Sequence, residues 1–224
     1  MAASPTLDWE RELAGRGFAV VAGCDEVGRG SLAGPVSVGV VIIDAATAAE
    51  LPGVKDSKLL RTTVRESLVP AIKDWAQASA VGHASAGEID EFGLVAALRL
   101  AGTRALAQAA AVVRPDFVIL DGNQDWLSEP EPDLFSVLAD GPGRGGPEAQ
   151  WRIQTRIKAD MTCLSVAAAS VLAKVERDGI MAGLAEKFPE FGWEANMGYG
   201  TAAHREAIGR LGATDHHRRS WRLT

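Results

Sequence analysis

Cysteine is scarce in this chain of 224 residues, which contains only Cys24 and Cys163. Two thiols are too few for the disulfide framework of a small secreted domain, and their spacing fits no zinc site. Long apolar runs are also missing, because the stretch 36–43 is too short to cross a membrane. The first residues lack the basic start and apolar segment of a secretory signal. The sequence therefore predicts a cytoplasmic protein with free, buried thiols.

Positive charge is in deficit, with 23 Lys and Arg against 29 Asp and Glu and a net charge of -6. This balance argues against a protein that coats nucleic acid by general electrostatic attraction. It does not exclude a nuclease, because basic residues are concentrated near the C-terminus, although such a segment can also be an ordinary solvated tail. These residues are His204, Arg205, Arg210, His216, His217, Arg218, Arg219 and Arg222.

The hydrophobic pattern predicts an α/β protein. Strands at about 18–25 and 36–43, joined by a short glycine-rich connection, are expected to pair antiparallel. A short apolar strand at 117–120 follows an alanine-rich helix at 94–112, which is typical of a buried parallel strand. Pro70 is expected to break or kink the helix that contains it. Further elements are predicted as helices at 6–17, 57–77, 162–187 and 202–211, strands at 80–84 and 151–157, and a capping box at 85–88.

Acidic residues stand at the predicted ends of strands and at one helix start. Asp25 and Glu26 follow the apolar run 18–22, Asp121 follows the strand at 117–120, and Asp160 precedes a helix. Each acid has an ordinary alternative as a turn residue or a helix cap. Together they would repel one another unless a cation lay between them. Carboxylate sites without histidine or cysteine suit Mg²⁺ or Mn²⁺, and two such ions support in-line phosphodiester cleavage.

Gly28, Arg29 and Gly30 follow the first acid pair after one residue, Val27. Glycine lets a ligand approach the bare backbone, and arginine offers a planar cation suited to phosphate. Neighbouring residues of a strand face opposite ways, so the use of Asp25 and Glu26 at one site requires a strand end or a bend.

Several motifs occur in one order between residues 18 and 221. They lie at 23–30, 32–35, 55–58, 88–90, 120–123, 158–160, 167–178, 198–201 and 212–220. This series of motifs resembles bacterial ribonuclease HII over nearly the whole chain. The resemblance implies one catalytic domain over 1–224, with an RNase H-like mixed five-stranded sheet flanked by helices. It also implies a helical C-terminal extension, at about 188–224, that completes the substrate cleft.

The activity implied by the resemblance is that of a metal-dependent endoribonuclease. Such an enzyme cleaves the RNA strand of RNA–DNA hybrids and incises 5′ of a single ribonucleotide embedded in duplex DNA. The resemblance further implies two-metal-ion hydrolysis that leaves 3′-hydroxyl and 5′-phosphate ends, and a role in removing ribonucleotides from DNA. We expect a monomer that acts on these duplexes and not at a membrane.

The resemblance also implies roles for individual residues. Asp25, Glu26, Asp121 and Asp160 match the family's four metal-binding acids. The segment Gly28, Arg29 and Gly30 matches the segment that reads the ribonucleotide 2′-hydroxyl, which a backbone without Cβ can approach closely. Tyr199 matches the tyrosine at the RNA–DNA junction, where an aromatic ring can stack. Candidates for phosphate contacts are Lys58, together with Lys55, Lys158 and Lys174.

The chain also departs from the family pattern. Met197 stands where many members have a lysine, and Val27 replaces the commoner alanine. The acidic loop at 128–150 is longer than usual and is expected to limit duplex access on its side. The chain ends soon after Trp221, and a peptide for docking to a sliding clamp is not evident.

Three alternatives to this reading remain at this point. One is the sister enzyme ribonuclease HIII, which carries a substrate-binding domain ahead of the same core, whereas only about 20 residues precede the first motif here. A second is a non-catalytic nucleic-acid-binding protein on the same fold, which the presence of all four acids disfavours. The third is a Mg²⁺-dependent phosphatase for small molecules, which would leave Gly28–Gly30 and Tyr199 without a purpose.

Overall fold

A mixed five-stranded sheet forms the centre of the computed structural model, which describes residues 4–129 and 151–224. The strand order is β3-β2-β1-β4-β5. The strands are β1 (Val20–Val27), β2 (Val36–Asp44), β3 (Ala78–Ala84), β4 (Phe117–Asp121) and β5 (Ile153–Arg156). This arrangement confirms the expected fold class. Residues 130–150 of the expected loop at 128–150 lie outside the described residues.

The pairing of β1 decides where the acidic residues meet. β1 is antiparallel to β2, as the sequence predicts, and the predicted parallel strand β4 has β1 as its partner, with Cys24 opposite Leu120. Because parallel strands end at the same edge of a sheet, the acids of β1 and the acid that closes β4 lie side by side. The site is therefore positioned by the two central strands.

Helices cover both faces of the sheet. The helix α4 packs on β2 and β3, whereas the long helix α6 packs on β1 and β2 from the opposite face. The helices are α1 (Asp8–Gly15), α2 (Thr62–Trp75), α3 (Ala86–Phe92), α4 (Leu94–Ala110), α5 (Ala159–Thr162), α6 (Leu164–Lys187), α7 (Trp193–Asn196) and α8 (Ala202–Leu211). None of the helices in the described residues is long and apolar enough to cross a membrane.

Small residues allow α6 to lie close to the strands. A Cβ atom on Gly23 of β1 would collide with the backbone of Ser165, and one on Gly39 of β2 would collide with the carbonyl of Ala169. Larger side chains at these positions would push the helix away from the sheet. The close packing fixes α6, which carries several of the groups described below.

The structure differs from the sequence-based prediction in the region 57–77, both in where the helix begins and in the effect of Pro70. The helix predicted at 57–77 is divided into a short 3₁₀ turn at Ser57–Leu59 and α2, which begins at Thr62. The helix α2 continues through Pro70, so of the predicted break or kink the break is wrong. Proline removes one hydrogen bond to the carbonyl four residues earlier, but Pro70 and Glu66 are exposed, and water can solvate the freed carbonyl. The capping box is confirmed, because Glu88 N donates to Ser85 Oγ and Ser85 N donates to Glu88 Oε2.

The basic C-terminal segment is partly buried, which contradicts the alternative of a solvated tail. His204, His217 and Arg218 are all buried, and Trp193 Nε1 donates a hydrogen bond to His204 Nε2 over 2.9 Å. The segment forms an apolar cluster with α6 that includes Leu32 and Ala33. These basic side chains therefore serve the packing of the C-terminal segment and are not available as a row of surface charges.

Candidate active site

The acid pair on β1 lies inside the strand and not after its end. β1 continues to Val27, so Asp25 and Glu26 alternate in direction like any neighbouring strand residues. Asp25 shares the α6 face with Gly23, and Glu26 shares the opposite face with Cys24. Neither a strand end nor a bend therefore brings Asp25 and Glu26 into one site. Asp121, at the end of the adjoining strand, links them instead, because its charge acts on both acids.

Asp121 also connects β4 to the short helix that carries the fourth acid. Its Oδ1 accepts hydrogen bonds from Ala159 N over 2.7 Å and from Asp160 N over 3.3 Å. Asp121 is thus the residue that satisfies the free N–H groups at the start of α5. Asp160 lies in the first turn of α5 with its side chain buried, so the alternative of Asp160 as the helix cap is wrong.

Mutual repulsion and burial together disfavour negative charge in this group of acids. Burial, the charge of Asp121 and that of Glu26 raise the pKa of Asp25 well above its usual value. Burial also raises the pKa of Glu26 despite the nearby Arg29, and burial and Asp121 raise the pKa of Asp160. Glu26 Oε2 is buried with no hydrogen-bond partner among the described residues. The site therefore has a surplus of negative charge and an oxygen without a donor.

Two cationic side chains reach these carboxylates from the surface. Lys58 Nζ lies 3.4 Å from Asp160 Oδ2, and 72% of the lysine side chain is exposed. Partial burial disfavours its charged form, but Asp56, Asp25 and Asp160 outweigh that effect and raise the pKa of Lys58. Arg29 Nη1 lies 3.3 Å from Glu26 Oε1. Each cation neutralises one side of the group and leaves the region around Asp25 and Asp121 negative.

Arg65 is a supporting residue that the sequence reasoning missed. It is buried, and its Nη1 donates to the carbonyls of Ser57 and Leu60 over 2.9 and 2.7 Å. These bonds close the turn that presents Lys58. No periodicity or motif could have indicated this role, because it depends on the side chain folding back across the start of α2.

The oxygen donors fit a hard divalent cation better than any other group. Burial and the neighbouring acids raise the pKa of Cys24 well above its usual value, which disfavours the thiolate form that binds metal ions. In residues 4–129 and 151–224, no three Asp, Glu, His or Cys side chains already surround a common point. Arg29 and Lys58 contact two of the carboxylates, so we expect these cations to move when an ion binds. The unpartnered oxygen of Glu26 and the shared negative charge favour such binding.

Beside the acids lies the segment 28–35, which we call the glycine loop. The N–H groups of Arg29 and Gly30 have no acceptor within the described residues. A Cβ atom on Gly30 would meet no atom within 4 Å, so the fold itself does not require glycine there. The loop therefore offers bare backbone donors to open space next to the carboxylates.

Tyr199 lies next to the second half of the glycine loop, because backbone hydrogen bonds join its neighbour Gly198 to that part of the loop. The carbonyl of the preceding Gly198 accepts hydrogen bonds from Leu32 N over 2.8 Å and from Ala33 N over 3.2 Å. The residue Tyr199 is 38% exposed. The structure thus brings the predicted recognition residues to one surface.

The other candidate lysines divide into two kinds. Lys55 and Lys158 are exposed, and Lys158 has a left-handed backbone with φ of 57° between β5 and α5. Lys174 instead forms an ion pair of 2.6 Å with Asp178, and only 17% of its side chain is exposed. Lys174 therefore supports α6 and is not a free contact for phosphate.

The structure also contains a hydrogen-bonded Ser-His-Glu chain that the sequence did not suggest. Ser37 Oγ lies 2.7 Å from His83 Nδ1, and His83 Nε2 lies 2.9 Å from Glu176 Oε1. Ser37 is completely buried, so a substrate cannot reach its hydroxyl. The chain is a cross-strand contact that joins β2, β3 and α6, and it is not a nucleophile with its base.

A comparison with protein families identifies the relatives of this chain. The sequence model for "Ribonuclease HII" matches residues 22–224. The chain belongs to the ribonuclease HII family. It is 44% identical to ribonuclease HII of Streptomyces avermitilis over 218 residues, which cover 97% of this chain and 83% of that protein. A 43% identical ribonuclease HII of Paracoccus denitrificans is matched over 97% of this chain and 91% of its own length.

Solved structures agree with this membership of the ribonuclease HII family. Ribonuclease H2 of Pyrococcus horikoshii superposes with a TM-score of 0.69 at 29% identity, covering 91% of this chain and 94% of that one. A Bst-RNase HIII structure in complex with Mn²⁺ superposes with a TM-score of 0.64 at 23% identity, covering 87% and 63%. This second likeness shows the fold alone. The protein is a ribonuclease H of type 2, an endoribonuclease from a family that depends on divalent metal ions and acts on nucleic acid.

Proposed function

We propose that this member of the ribonuclease HII family cleaves the RNA strand of RNA–DNA hybrids and incises 5′ of single ribonucleotides in duplex DNA. The products would carry 3′-hydroxyl and 5′-phosphate ends, and the activity would serve the removal of ribonucleotides from DNA. The observation that carries the proposal is the juxtaposition of the four acids with the free N–H groups of Arg29 and Gly30. One part of this surface suits metal-assisted hydrolysis, and the other suits recognition of ribose.

In this proposal Asp25, Glu26, Asp121 and Asp160 hold divalent cations, either Mg²⁺ or Mn²⁺. Bound ions would polarise the scissile phosphate and lower the pKa of a water nucleophile, as in two-metal hydrolysis. Asp121 would have a double role, because its Oδ1 also orients the backbone of α5 and hence Asp160.

The remaining residues would bind the nucleic acid. The 2′-hydroxyl oxygen can accept from the N–H groups of the glycine loop, and this hydroxyl is the group that distinguishes RNA from DNA. Lys58 and Arg29 have side chains exposed by 72% and 42%, so both can exchange a carboxylate for a phosphate oxygen. Tyr199 can stack at the RNA–DNA junction.

The C-terminal part, residues 188–224, supports the proposal by its contacts with the glycine loop. Gly34 N donates to the carbonyl of His216 over 2.8 Å, and Arg218 N donates to the carbonyl of Leu32 over 2.9 Å. We infer that residues 1–224 act as one domain in which this part completes the substrate cleft. We infer further that the enzyme acts as a monomer.

A direct test uses three duplexes of one sequence: all-DNA, DNA with one ribonucleotide, and an RNA–DNA hybrid. We expect cutting of the last two with Mg²⁺ or Mn²⁺, no cutting with EDTA, and none of the all-DNA duplex. Product ends are read by mass spectrometry. Binding without cleavage under all metal conditions would support the non-catalytic alternative. Hydrolysis of p-nitrophenyl phosphate without cleavage of any duplex would support the phosphatase alternative.

Gly30→Ala is expected to lower kcat/KM on both cleaved substrates by about tenfold or more, because a methyl group would hold the 2′-hydroxyl away from the backbone. The melting temperature should stay the same or rise slightly, since the added Cβ meets no atom within 4 Å. The matched control is Gly183→Ala in α6, where an added Cβ also meets nothing. Normal kinetics for Gly30→Ala would show that no substrate group approaches this backbone.

Tyr199→Ala is expected to damage cleavage at a lone ribonucleotide more than cleavage of a continuous hybrid. Only the lone ribonucleotide depends wholly on recognition of an RNA–DNA junction, and the loss of one stacked ring costs about 1–3 kcal/mol. The ratio of kcat/KM for the two substrates should therefore change by roughly fivefold to 150-fold. Tyr199→Phe keeps the ring and should retain the ratio. Equal losses on both substrates for Tyr199→Ala would make the ring a packing residue.

A further inference from the structure

Two arginines, Arg177 and Arg218, are completely buried beneath the glycine loop. Among the residues that the structure describes, no carboxylate lies within ion-pair distance of either guanidinium. Burial and the charge of Arg177 lower the pKa of Arg218 to about 9, which still leaves it charged at neutral pH. A buried charge needs polar partners in place of water. The loop backbone provides them.

Arg218 donates only to main-chain carbonyls of the glycine loop. Its Nη1 donates to Arg29 O over 2.8 Å and its Nη2 to Gly28 O over 2.6 Å. Longer bonds of 3.4 and 3.3 Å run from Nε and Nη2 to Gly34 O. The planar fork of arginine suits several acceptors held at fixed angles, and the flexible ammonium of lysine does not.

The two closest acceptors belong to the peptide groups that carry the free donors. The carbonyl of Gly28 shares a peptide plane with the N–H of Arg29, and the carbonyl of Arg29 shares one with the N–H of Gly30. In a trans peptide the C=O and N–H bonds point in opposite directions. Holding both carbonyls towards Arg218 therefore aims both N–H groups away from it.

A guanidinium that binds a peptide carbonyl also makes the N–H of the same peptide group a stronger hydrogen-bond donor. Hydrogen bonds in a chain polarise one another, so the N–H of a peptide becomes a better donor when its C=O binds a cation. The Arg29 and Gly30 N–H groups have no acceptor within the described residues, so this effect is not used inside the protein. It is available to a ligand.

Arg177 links the same loop to the segment before Tyr199. It donates to the carbonyls of Pro35, Met197 and Ala33 over 2.9, 3.0 and 3.2 Å. Its Cζ lies 5.8 Å from the centroid of the Tyr199 ring. Arg177 also packs against Gly28, where an added Cβ would collide with its side chain, and it sets the spacing between the glycine loop and Tyr199. Arg218 is the arginine that donates to both peptide groups with free donors.

We propose that Arg218 is a positioning residue for ribose recognition, which orients and polarises the peptide groups whose N–H donors bind the substrate 2′-hydroxyl oxygen. This inference rests on the proposed function, in which the glycine loop reads that hydroxyl. It assigns the selectivity for ribose to a side chain that touches neither the substrate nor a metal ligand.

Arg218→Lys tests the inference, because it keeps a positive charge and removes the fork. Dissociation constants are measured in EDTA for a duplex with one ribonucleotide and for the all-DNA duplex of the same sequence. We expect the preference of the wild type for the ribonucleotide to fall by about tenfold, with little change in affinity for all-DNA. The matched control is Arg219→Lys at the exposed neighbouring residue, which should retain the preference.

Each other outcome has a definite meaning. Equal loss of affinity for both duplexes, or an unchanged preference, would reduce Arg218 to a structural residue and overturn the inference. A wild type without any preference for the ribonucleotide would instead count against the proposed function. Should Arg218→Lys fail to fold, Arg218→Gln takes its place, because its amide keeps a neutral donor near the loop carbonyls and removes the charge and the fork. An unchanged preference of that variant for the ribonucleotide would again overturn the inference.

Discussion

Replacing Asp25 by asparagine is expected to reduce cleavage by at least about a thousandfold and to raise the melting temperature of the metal-free protein. Metal ions supply several kcal/mol of charge stabilisation in phosphodiester hydrolysis, and each 1.4 kcal/mol changes a rate about tenfold. Asp25 is buried, and Asp121 and Glu26 both disfavour its charge. Asparagine keeps the shape and relieves this repulsion, so each kcal/mol gained should raise the melting temperature by about 2–4 °C.

The matched control for Asp25→Asn is Asp74→Asn on the exposed face of α2. It removes the same charge from the protein without touching the acids, so activity and melting temperature should stay near those of the wild type. Single-turnover cleavage with Mg²⁺ and with Mn²⁺ measures the activity, and calorimetry in EDTA measures stability. Near-normal turnover of Asp25→Asn with either ion would remove Asp25 from the metal site.

Asp160→Asn is expected to abolish most of the activity as well, again by about a thousandfold, while leaving the melting temperature of the metal-free protein unchanged or slightly raised. The side chain is buried, and its charge meets that of Asp121. No helix cap is lost, because Asp121 accepts the N–H groups at the start of α5. The activity would fall through the lost carboxylate alone.

Two variants of Asp121 complete this experiment. Asp121→Asn retains an oxygen that can accept from Ala159 N, whereas Asp121→Ala cannot. Both should be inactive, but only Asp121→Ala should lose stability, by about 1 kcal/mol for a missing cap. If Asp160→Asn were instead active and clearly less stable, Asp160 would be a structural residue of α5.

The central sheet was accessible to prediction because each of its strands leaves a local signal. The apolar segment of β4 and the glycine-rich connection between β1 and β2 indicated a parallel and an antiparallel neighbour, and the register confirms both. The meeting of Asp25 with Asp121 then follows from the parallel pairing. The remaining roles of these acids as metal ligands stay a prediction.

Contacts in which a side chain reaches from one secondary-structure element to another could not be predicted from the sequence. The local pattern around Asp160 cannot show that a residue 39 positions earlier holds the start of α5. Arg65, Lys174 and Arg218 look like ordinary surface cations in the sequence, yet each is directed inward by partners that only the tertiary structure supplies. Pro70 was misjudged because the cost of a proline in a helix depends on whether water reaches the freed carbonyl.

Because Arg218 supports the glycine loop, the two parts of the site cannot form at the same time during synthesis of the chain. A chain leaves the ribosome from its N-terminus, so β1 and β4 with their acids emerge long before residues 216–218, which hold the loop from behind. A nascent chain can thus assemble the acidic edge of the sheet while its loop is still unsupported. We expect discrimination between ribose and deoxyribose to appear only after residues 216–218 have been synthesised and have packed against the loop.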